Sequence, residues 1–152
     1  MIQKIAKNIS TLFGLGFKTK MPGTLGSIVG LLTGMLIALY THKTFFLIQL
    51  FLSLILSILL ISIYQKSTGK KDSSDIIVDE YIGQQIPFIF YDITLVNFFL
   101  FFFLFRFFDI IKIFPADIVD KKYKNSIGVM LDDIIAGFQT SFAIYIINSF
   151  LI

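Results

Sequence analysis

Apolar runs separated by short polar segments give this chain the pattern of helices that cross a membrane. The run over residues 44–64 contains no charged residue and matches the roughly 20 apolar residues that a bilayer-spanning helix needs. The run over residues 25–40 is slightly shorter. A last helix is predicted over residues 128–152, with its apolar part beginning at Ile134.

The segment between residues 76 and 108 allows two interpretations. Read as one span over residues 86–105, it gives four membrane helices in all. Alternatively, residues 91–94 form a turn, and residues 75–90 and 95–112 are two antiparallel helices. This second reading gives a hairpin that crosses the bilayer partly or fully.

The distribution of basic residues favours the hairpin. With the N-terminus in the cytoplasm and five alternating helices, every basic residue except Lys43 falls on the inner side. The inner set is Lys4, Lys7, Lys18, Lys20, Lys66, Lys70, Lys71, Arg106, Lys112, Lys121, Lys122 and Lys124. The single-span reading would place the last four lysines outside. We therefore predict an all-α integral membrane bundle of about five to six helices, formed by one domain over residues 1–152.

Composition limits the chemistry that such a protein can carry out. The chain is 56% hydrophobic and 15% charged, whereas soluble domains average about 25% charged residues. The absence of cysteine excludes disulfides and thiolate sites, and the single histidine, His42, disfavours a serine triad or a multi-histidine metal site. The net charge of +3 comes from lysines in loops, which indicates anionic membrane lipids as partners and no nucleic acid.

Carboxylates gather at one membrane face in the hairpin topology. They stand at helix starts or ends: Asp79, Glu80, Asp109, Asp132 and Asp133. Each could serve only as a cap or complement the helix dipole, but adjacent acids opening an apolar helix are more typical of a functional site. An oxygen-rich site of this kind favours Mg²⁺, with Mn²⁺ as the alternative. Gly83 and Gly137 each follow an acid by four residues, which predicts close helix approach there.

Basic and hydroxyl groups near the acids suggest that the site binds phosphate. Arg106, Asp109 and Lys112 share one broad helical face, and a guanidinium can grip phosphate through its planar fork of donors. The alternative role of Arg106 is structural: its side chain snorkels to the membrane surface or pairs with Asp109. The segment over residues 22–27, with Thr24, Gly26 and Ser27, precedes a helix and predicts an anion cradle.

Four blocks in register resemble the phosphatidylglycerophosphatase A family. The blocks are Gly14-Leu15-Gly16 followed by PGTLGS (22–27), DSSDIIVDEYIG (72–83), FRFFDIIK (105–112) and IGVMLDDIIAG (127–137). The resemblance implies a Mg²⁺-dependent lipid phosphatase of the bacterial inner membrane. Such an enzyme hydrolyses phosphatidylglycerophosphate to phosphatidylglycerol and phosphate at the cytoplasmic face.

The resemblance matches Asp79, Glu80, Asp109, Asp132 and Asp133 to the acidic motif positions, with Asp72 a weaker match, and Arg106 and Lys112 to the basic ones. Our mechanistic hypothesis makes Asp79, Glu80, Asp132 and Asp133 the ligands of one or two Mg²⁺ ions. Our hypothesis adds Asp109 to orient or deprotonate water. The phosphate of the substrate would be bound by Thr24, Gly26, Ser27, Arg106 and Lys112. The last two would also neutralise the charge that develops on the phosphate during the reaction.

Other functions stay open at this stage. A small carrier or channel would use the acids as an ion path, and a scaffold would use them only as helix caps. A less selective lipid-phosphate phosphatase is the alternative within the enzyme class. The expected partner is a phospholipid substrate in the bilayer, and the sequence makes no prediction of oligomeric state.

Overall fold

The structure, a computed structural model, describes residues 1–70 and 73–151. Its described part contains seven α-helices and no strand. The α-helices are α1 (Ile2–Ser10), α2 (Pro22–Tyr40), α3 (Lys43–Thr68), α4 (Val78–Gly83), α5 (Leu95–Ile111), α6 (Ala116–Lys122) and α7 (Ser126–Leu151). The predicted all-α class is confirmed, with Lys71, Asp72 and Ile152 outside the described residues. The count exceeds the predicted five to six because α1 and α6 are too short to show as apolar runs.

Three helices are long and apolar enough to cross a membrane. They are α2, α3 and the part of α7 over Ser126–Phe150, with mean hydropathies of 1.7, 2.7 and 1.4. Large apolar side chains point outward from α3; Phe51, Leu52 and Leu59 are each about 60% exposed. Such a surface is unfavourable in water and suits the hydrocarbon interior of a bilayer.

The chain turns back between residues 90 and 94, so the single-span reading over residues 86–105 is wrong. A short 3₁₀ helix, Ile86–Ile89, ends before the turn. Thr94 then caps α5, because its side chain accepts a hydrogen bond from the backbone N–H of Asn97. The side-chain amide of Asn97 donates to the backbone carbonyl of Asp92 at 2.8 Å.

The first arm of the hairpin is not the continuous helix predicted over residues 75–90. Helix α4 ends at Gly83, and the 3₁₀ helix follows with Pro87 inside it. Proline lacks the N–H that a continuing α-helix would need. The buried Gln84 side chain joins the arms by donating to the carbonyl of Phe101 at 2.9 Å.

Helix α4 packs between α2 and α7 at backbone-to-backbone distance. A Cβ atom built on Gly30 of α2 would lie 2.4 Å from the carbonyl oxygen of Tyr81. On the other side, a Cβ on Gly83 would lie 2.6 Å from the carbonyl oxygen of Asp133, and one on Gly137 would lie 2.6 Å from that of Gly83. The predicted close approach at Gly83 and Gly137 is therefore confirmed.

We expect Gly30→Ala to destabilise the protein by about 1–3 kcal/mol, a typical cost of overpacking. Alanine is the better helix former by about 1 kcal/mol, so any loss must come from the clash with Tyr81. Thermal unfolding in detergent measures the change. Leu36→Ala, on the exposed face of the same helix, is the control; a Gly30→Ala protein as stable as this control would contradict the tight packing.

Candidate active site

One cavity of about 380 Å³ gathers the charged residues singled out in the sequence. Its walls come from the start of α2, the segment before α4, α4 itself, the end of α5, α6 and the start of α7. The predicted site residues among its lining are Thr24, Asp79, Glu80, Arg106, Asp109, Lys112, Asp132 and Asp133. The hairpin and the start of α7 thus bring chemistry from distant parts of the chain to one place.

Three carboxylates form a compact cluster in this cavity. A carboxylate oxygen from each of Asp79, Glu80 and Asp133 lies within 4.8 Å of the other two. Asp79 is 6% exposed and Asp133 is 4% exposed. One buried oxygen of each of the three residues has no hydrogen-bond partner among the described residues. Buried, unsatisfied anionic oxygens at this spacing are the donor set that a hard divalent cation takes.

The two acids of α4, which lies outside the three long apolar helices, are buried and interact with each other. Burial, followed by repulsion from Glu80, raises the pKa of Asp79 well above its ordinary value. Burial also raises the pKa of Glu80, although a hydrogen bond with Asp79 opposes the shift. A positive charge in the cluster would favour the ionised forms of both.

Asp132 lies beside this cluster and pairs with Lys112. The Lys112 Nζ atom is 2.6 Å from an oxygen of Asp132 and 2.5 Å from an oxygen of Asp120. Burial alone would lower the pKa of Lys112, but hydrogen bonds to the two carboxylates outweigh it and raise the pKa. The sequence analysis missed Asp120; its only signal was Lys124 four residues later, which forms an i,i+4 pair with it at 3.2 Å.

The backbone of Lys112 is itself unusual. It ends α5 with φ 51° and ψ 62°, in the left-handed region that non-glycine residues seldom adopt. Such a conformation persists only where surrounding contacts fix it, and it is common at functional sites. The ion pairs to Asp120 on α6 and Asp132 on α7 are the contacts that hold this residue.

Arg106 lines the same cavity from α5, six residues before Lys112. Its Nη1 atom pairs with the carboxylate of Asp109 and lies 3.4 Å from the hydroxyl oxygen of Ser27. Its Nε atom is buried without a hydrogen-bond partner among the described residues. A Cβ atom built on Gly23 would lie 3.1 Å from the guanidinium and 2.4 Å from Glu80 Oε1. The guanidinium therefore sits between the acidic cluster and the first turn of α2.

Of the three residues in the predicted anion cradle at the start of α2, only one lines the cavity. Thr24 lines the cavity. Ser27 is buried, donates to the carbonyl of Gly23 at 2.9 Å and faces Arg106. Gly26 packs on α4, where an added Cβ would lie 2.7 Å from the carbonyl oxygen of Ile77, and it is absent from the cavity lining.

A second network that the sequence did not reveal fixes the segment leading into α4. The hydroxyls of Tyr64 and Ser73 both donate to the carboxylate of Asp75. Burial would raise the pKa of Asp75, but these two hydrogen bonds outweigh it and lower the pKa. Ser73 and Ser74 line the cavity, so this anchor positions one of its walls. Asp72, the weaker motif match, lies outside the described residues.

Comparison with known proteins identifies the family. A sequence model of phosphatidylglycerophosphatase A matches residues 8–148. The chain belongs to the phosphatidylglycerophosphatase A family. No solved structure matches it.

Curated relatives agree with this assignment. A phosphatidylglycerophosphatase A of Haemophilus influenzae is 32% identical over 141 residues, covering 90% of this chain and 84% of the relative. One from Escherichia coli is 28% identical over 146 residues, covering 90% and 79%. A Bacteroides thetaiotaomicron protein, provisionally named a phosphatidylinositol-3-phosphatase, is 32% identical over 144 residues, covering 85% and 84%. With its three apolar helices, this family member is a bacterial membrane protein.

We expect Asp120→Asn to lower the free energy of unfolding by up to about 1 kcal/mol near neutral pH, because the pair with Lys112 is partly exposed. Pairing holds the pKa of Asp120 below its ordinary value of 3.8. Its contribution is therefore complete above that value and is lost as the pH falls through the lower pKa of the folded state.

Unfolding free energies of wild type and variant, measured in detergent across this range, should converge on acidification. Asp117→Asn, which removes a more exposed pair with Lys121, is the control. A difference between wild type and Asp120→Asn that widens at low pH would show that the pairing is not the source of the stability.

Proposed function

We propose that this protein hydrolyses the terminal phosphomonoester of phosphatidylglycerophosphate, giving phosphatidylglycerol and phosphate. The family and the names of two curated relatives support this activity. The structural observation that supports this activity most directly is the cavity that three clustered carboxylates share with Arg106 and Lys112. Anionic groups to hold a cation and cationic groups to hold a phosphate are what hydrolysis of a phosphomonoester requires.

The cofactor we propose is Mg²⁺, with Mn²⁺ as a substitute. Asp79, Glu80 and Asp133 would hold it, since their oxygens converge within 4.8 Å and each has a buried oxygen without a hydrogen-bond partner among the described residues. Asp132 is a further proposed ligand, although here it pairs with Lys112. A bound divalent cation would supply charge neutralisation at the phosphoryl oxygens and a more acidic water.

The protein's own groups would bind and orient the phosphate. Arg106 presents a planar fork of donors next to Ser27, and Lys112 adds a second positive charge to the cavity lining. Together they would neutralise the charge that develops on the equatorial oxygens. Asp109, in contact with the guanidinium, is our candidate to orient or deprotonate the attacking water.

We place the cavity at the cytoplasmic face of the inner membrane. All basic residues except Lys43 fall on that side in a topology with five alternating helices. The clustered acids lie at one end of the bundle instead of being spread through its depth, which favours an interfacial enzyme over a carrier. A scaffold would not need buried carboxylates that lack partners among the described residues.

A broader lipid-phosphate phosphatase is the second candidate. The name of the Bacteroides thetaiotaomicron relative refers to a different lipid monoester, although its identity to this chain is as high as that of the Haemophilus protein. Rates with phosphatidic acid and phosphatidylglycerophosphate, compared in the same micelles, separate a selective enzyme from a broad one.

Phosphate release from phosphatidylglycerophosphate should require both the divalent cation and the cluster. We expect EDTA to abolish activity, Mg²⁺ to restore it, and Asp133→Asn to lose at least about 10²-fold, because one carboxylate of the cluster becomes neutral. Asp117→Asn, the same exchange on α6 outside the cavity, should keep near wild-type activity. Robust wild-type turnover in EDTA would exclude the proposed cofactor while leaving the substrate assignment intact.

Arg106→Lys should reduce kcat about 10²-fold despite keeping the charge, the scale reported for losing one transition-state donor. Arg106 contacts Asp109 and Ser27 through Nη1 alone, which leaves its other donors for the phosphate, and lysine cannot present that planar set of donors. Thermal unfolding checks that the variant is folded, and Lys121→Arg on exposed α6 is the reverse exchange as control. Unchanged kinetics in folded Arg106→Lys would remove the guanidinium from the mechanism.

A further inference from the structure

A second cavity, of about 620 Å³, lies along α7, between that helix and residues 113–115. Its lining is almost wholly apolar and includes Phe108, Ile113, Phe114, Phe138, Phe142 and Ile146. Phe142 is 65% exposed and Ile146 is 40% exposed, so this groove opens to the surroundings of the bundle. In a membrane, those surroundings are lipid hydrocarbon.

The groove and the charged cavity are lined by residues that are adjacent in the chain. Phe108 lines the groove and Asp109 the charged cavity; Ile113 lines the groove and Lys112 the charged cavity. On α7, Ile135 follows Asp132 by three residues, which places it on the same helical face, about one turn further along. The polar and apolar cavities are therefore neighbours on the same two elements.

The apolar stripe of α7 continues down the helix at helical spacing. From Ile135 it passes through Phe138, Phe142 and Ile146, in steps of three or four residues. Asp132 to Ile146 spans roughly 21 Å at 1.5 Å per residue. Half of a bilayer's hydrocarbon core is about 15 Å thick, so the stripe reaches from a headgroup to the middle of the membrane.

One polar side chain among the described lining residues holds the groove's outer wall in place. The Gln139 amide donates to the carbonyls of Ile113 and Phe114 at 3.1 and 2.9 Å. These bonds fasten the segment after Lys112 against α7 about two turns below Asp132. The groove is thus bounded by fixed backbone and is more than a gap between lipid-facing side chains.

We propose that this groove holds one acyl chain of the phospholipid substrate while its phosphate occupies the charged cavity. The inference rests on the proposed function and adds how the lipid is held. An amphiphile matches the pair of cavities, because a charged site and an exposed apolar groove are lined by neighbouring residues of the same two elements. A partner helix would need an apolar surface that continues past the charged end, where Asp109, Lys112 and Asp132 stand instead.

Fluorescence tests the occupant directly, because the chain contains no tryptophan. Phe142→Trp places the only indole in the groove. Tyr145→Trp places it on the same helix outside the groove lining, and the replaced side chains are 65% and 61% exposed. Each variant goes into nanodiscs of unlabelled phosphatidylcholine with a trace of a non-hydrolysable phosphonate analogue of phosphatidylglycerophosphate that carries brominated chains.

We expect saturable quenching that is several-fold stronger for Phe142→Trp than for Tyr145→Trp. Excess unbrominated analogue should reverse it, since both compete for one site. Equal quenching of the two variants, or quenching that the competitor does not reverse, would mean that only bulk lipid contacts the groove and would overturn the proposal.

Kinetics provide a second, independent readout. Ala143 lines the groove, and Ala143→Leu should raise KM for a dioleoyl substrate several-fold while leaving a dihexanoyl substrate, whose chains end before this depth, unchanged. Ser149→Leu, exposed on the same helix, is the control. An effect independent of chain length would contradict the groove. Absence of phosphate release from wild type would instead count against the proposed function, and the quenching experiment would still decide the groove.

Discussion

The site depends on one packing constraint, the close approach of α4 to its two neighbours. Helix α4 has only six residues, too few to be stable alone, so its position is fixed by α2 and α7. Gly30 brings the α2 backbone against Tyr81, and Gly83 and Gly137 bring the α4 backbone against α7. This contact places Asp79 and Glu80 within reach of Asp133, a residue of a different helix. Larger side chains at these glycines would push the helices apart. The carboxylates of the cluster would then be separated, although none of them had been replaced.

The acids of the cavity fall into two groups, those that pair with a basic residue and those that do not. Asp132 and Asp120 are neutralised by Lys112, and Asp109 is neutralised by Arg106. Asp79 and Asp133 have no ion pair of this kind among the described residues. The protein thus compensates its peripheral acids internally and leaves the central carboxyl groups without a basic partner among the described residues. The same two basic groups border the space where a phosphate would sit.

Much of this arrangement could be predicted from hydrophobic and charge patterns. The apolar runs located the long helices to within a few residues, and the asymmetry of the lysines correctly favoured a break near residues 91–94. The folded topology then placed the acids together, and their spacing to Gly83 and Gly137 indicated close helices. These inferences succeed because membrane insertion depends on hydrophobicity and charge averaged over many residues. Both averages can be read directly from the sequence.

Individual partnerships could not be predicted in the same way. The pairing of Asp132 with Lys112 depends on Asp120 and the short helix α6, which carries no apolar run. The contact between Tyr64 and Asp75 joins a membrane helix to a polar loop, and nothing in the local pattern marks either residue. The first arm of the hairpin ends its α-helix at Gly83, because Pro87, four residues later, lacks the N–H that would bond to the Gly83 carbonyl; the apolar pattern alone did not show this break.

The central claim is that α4 and α7 together form a cation site from Asp79, Glu80 and Asp133. The most direct measurement is an anomalous difference map at the manganese edge from crystals of the protein grown with Mn²⁺. The account predicts a peak contacting these three carboxylates, with Lys112 still between Asp120 and Asp132 or released from the latter. A peak held by Asp109 and Asp132 alone, or no peak in the cavity at saturating Mn²⁺, would contradict it.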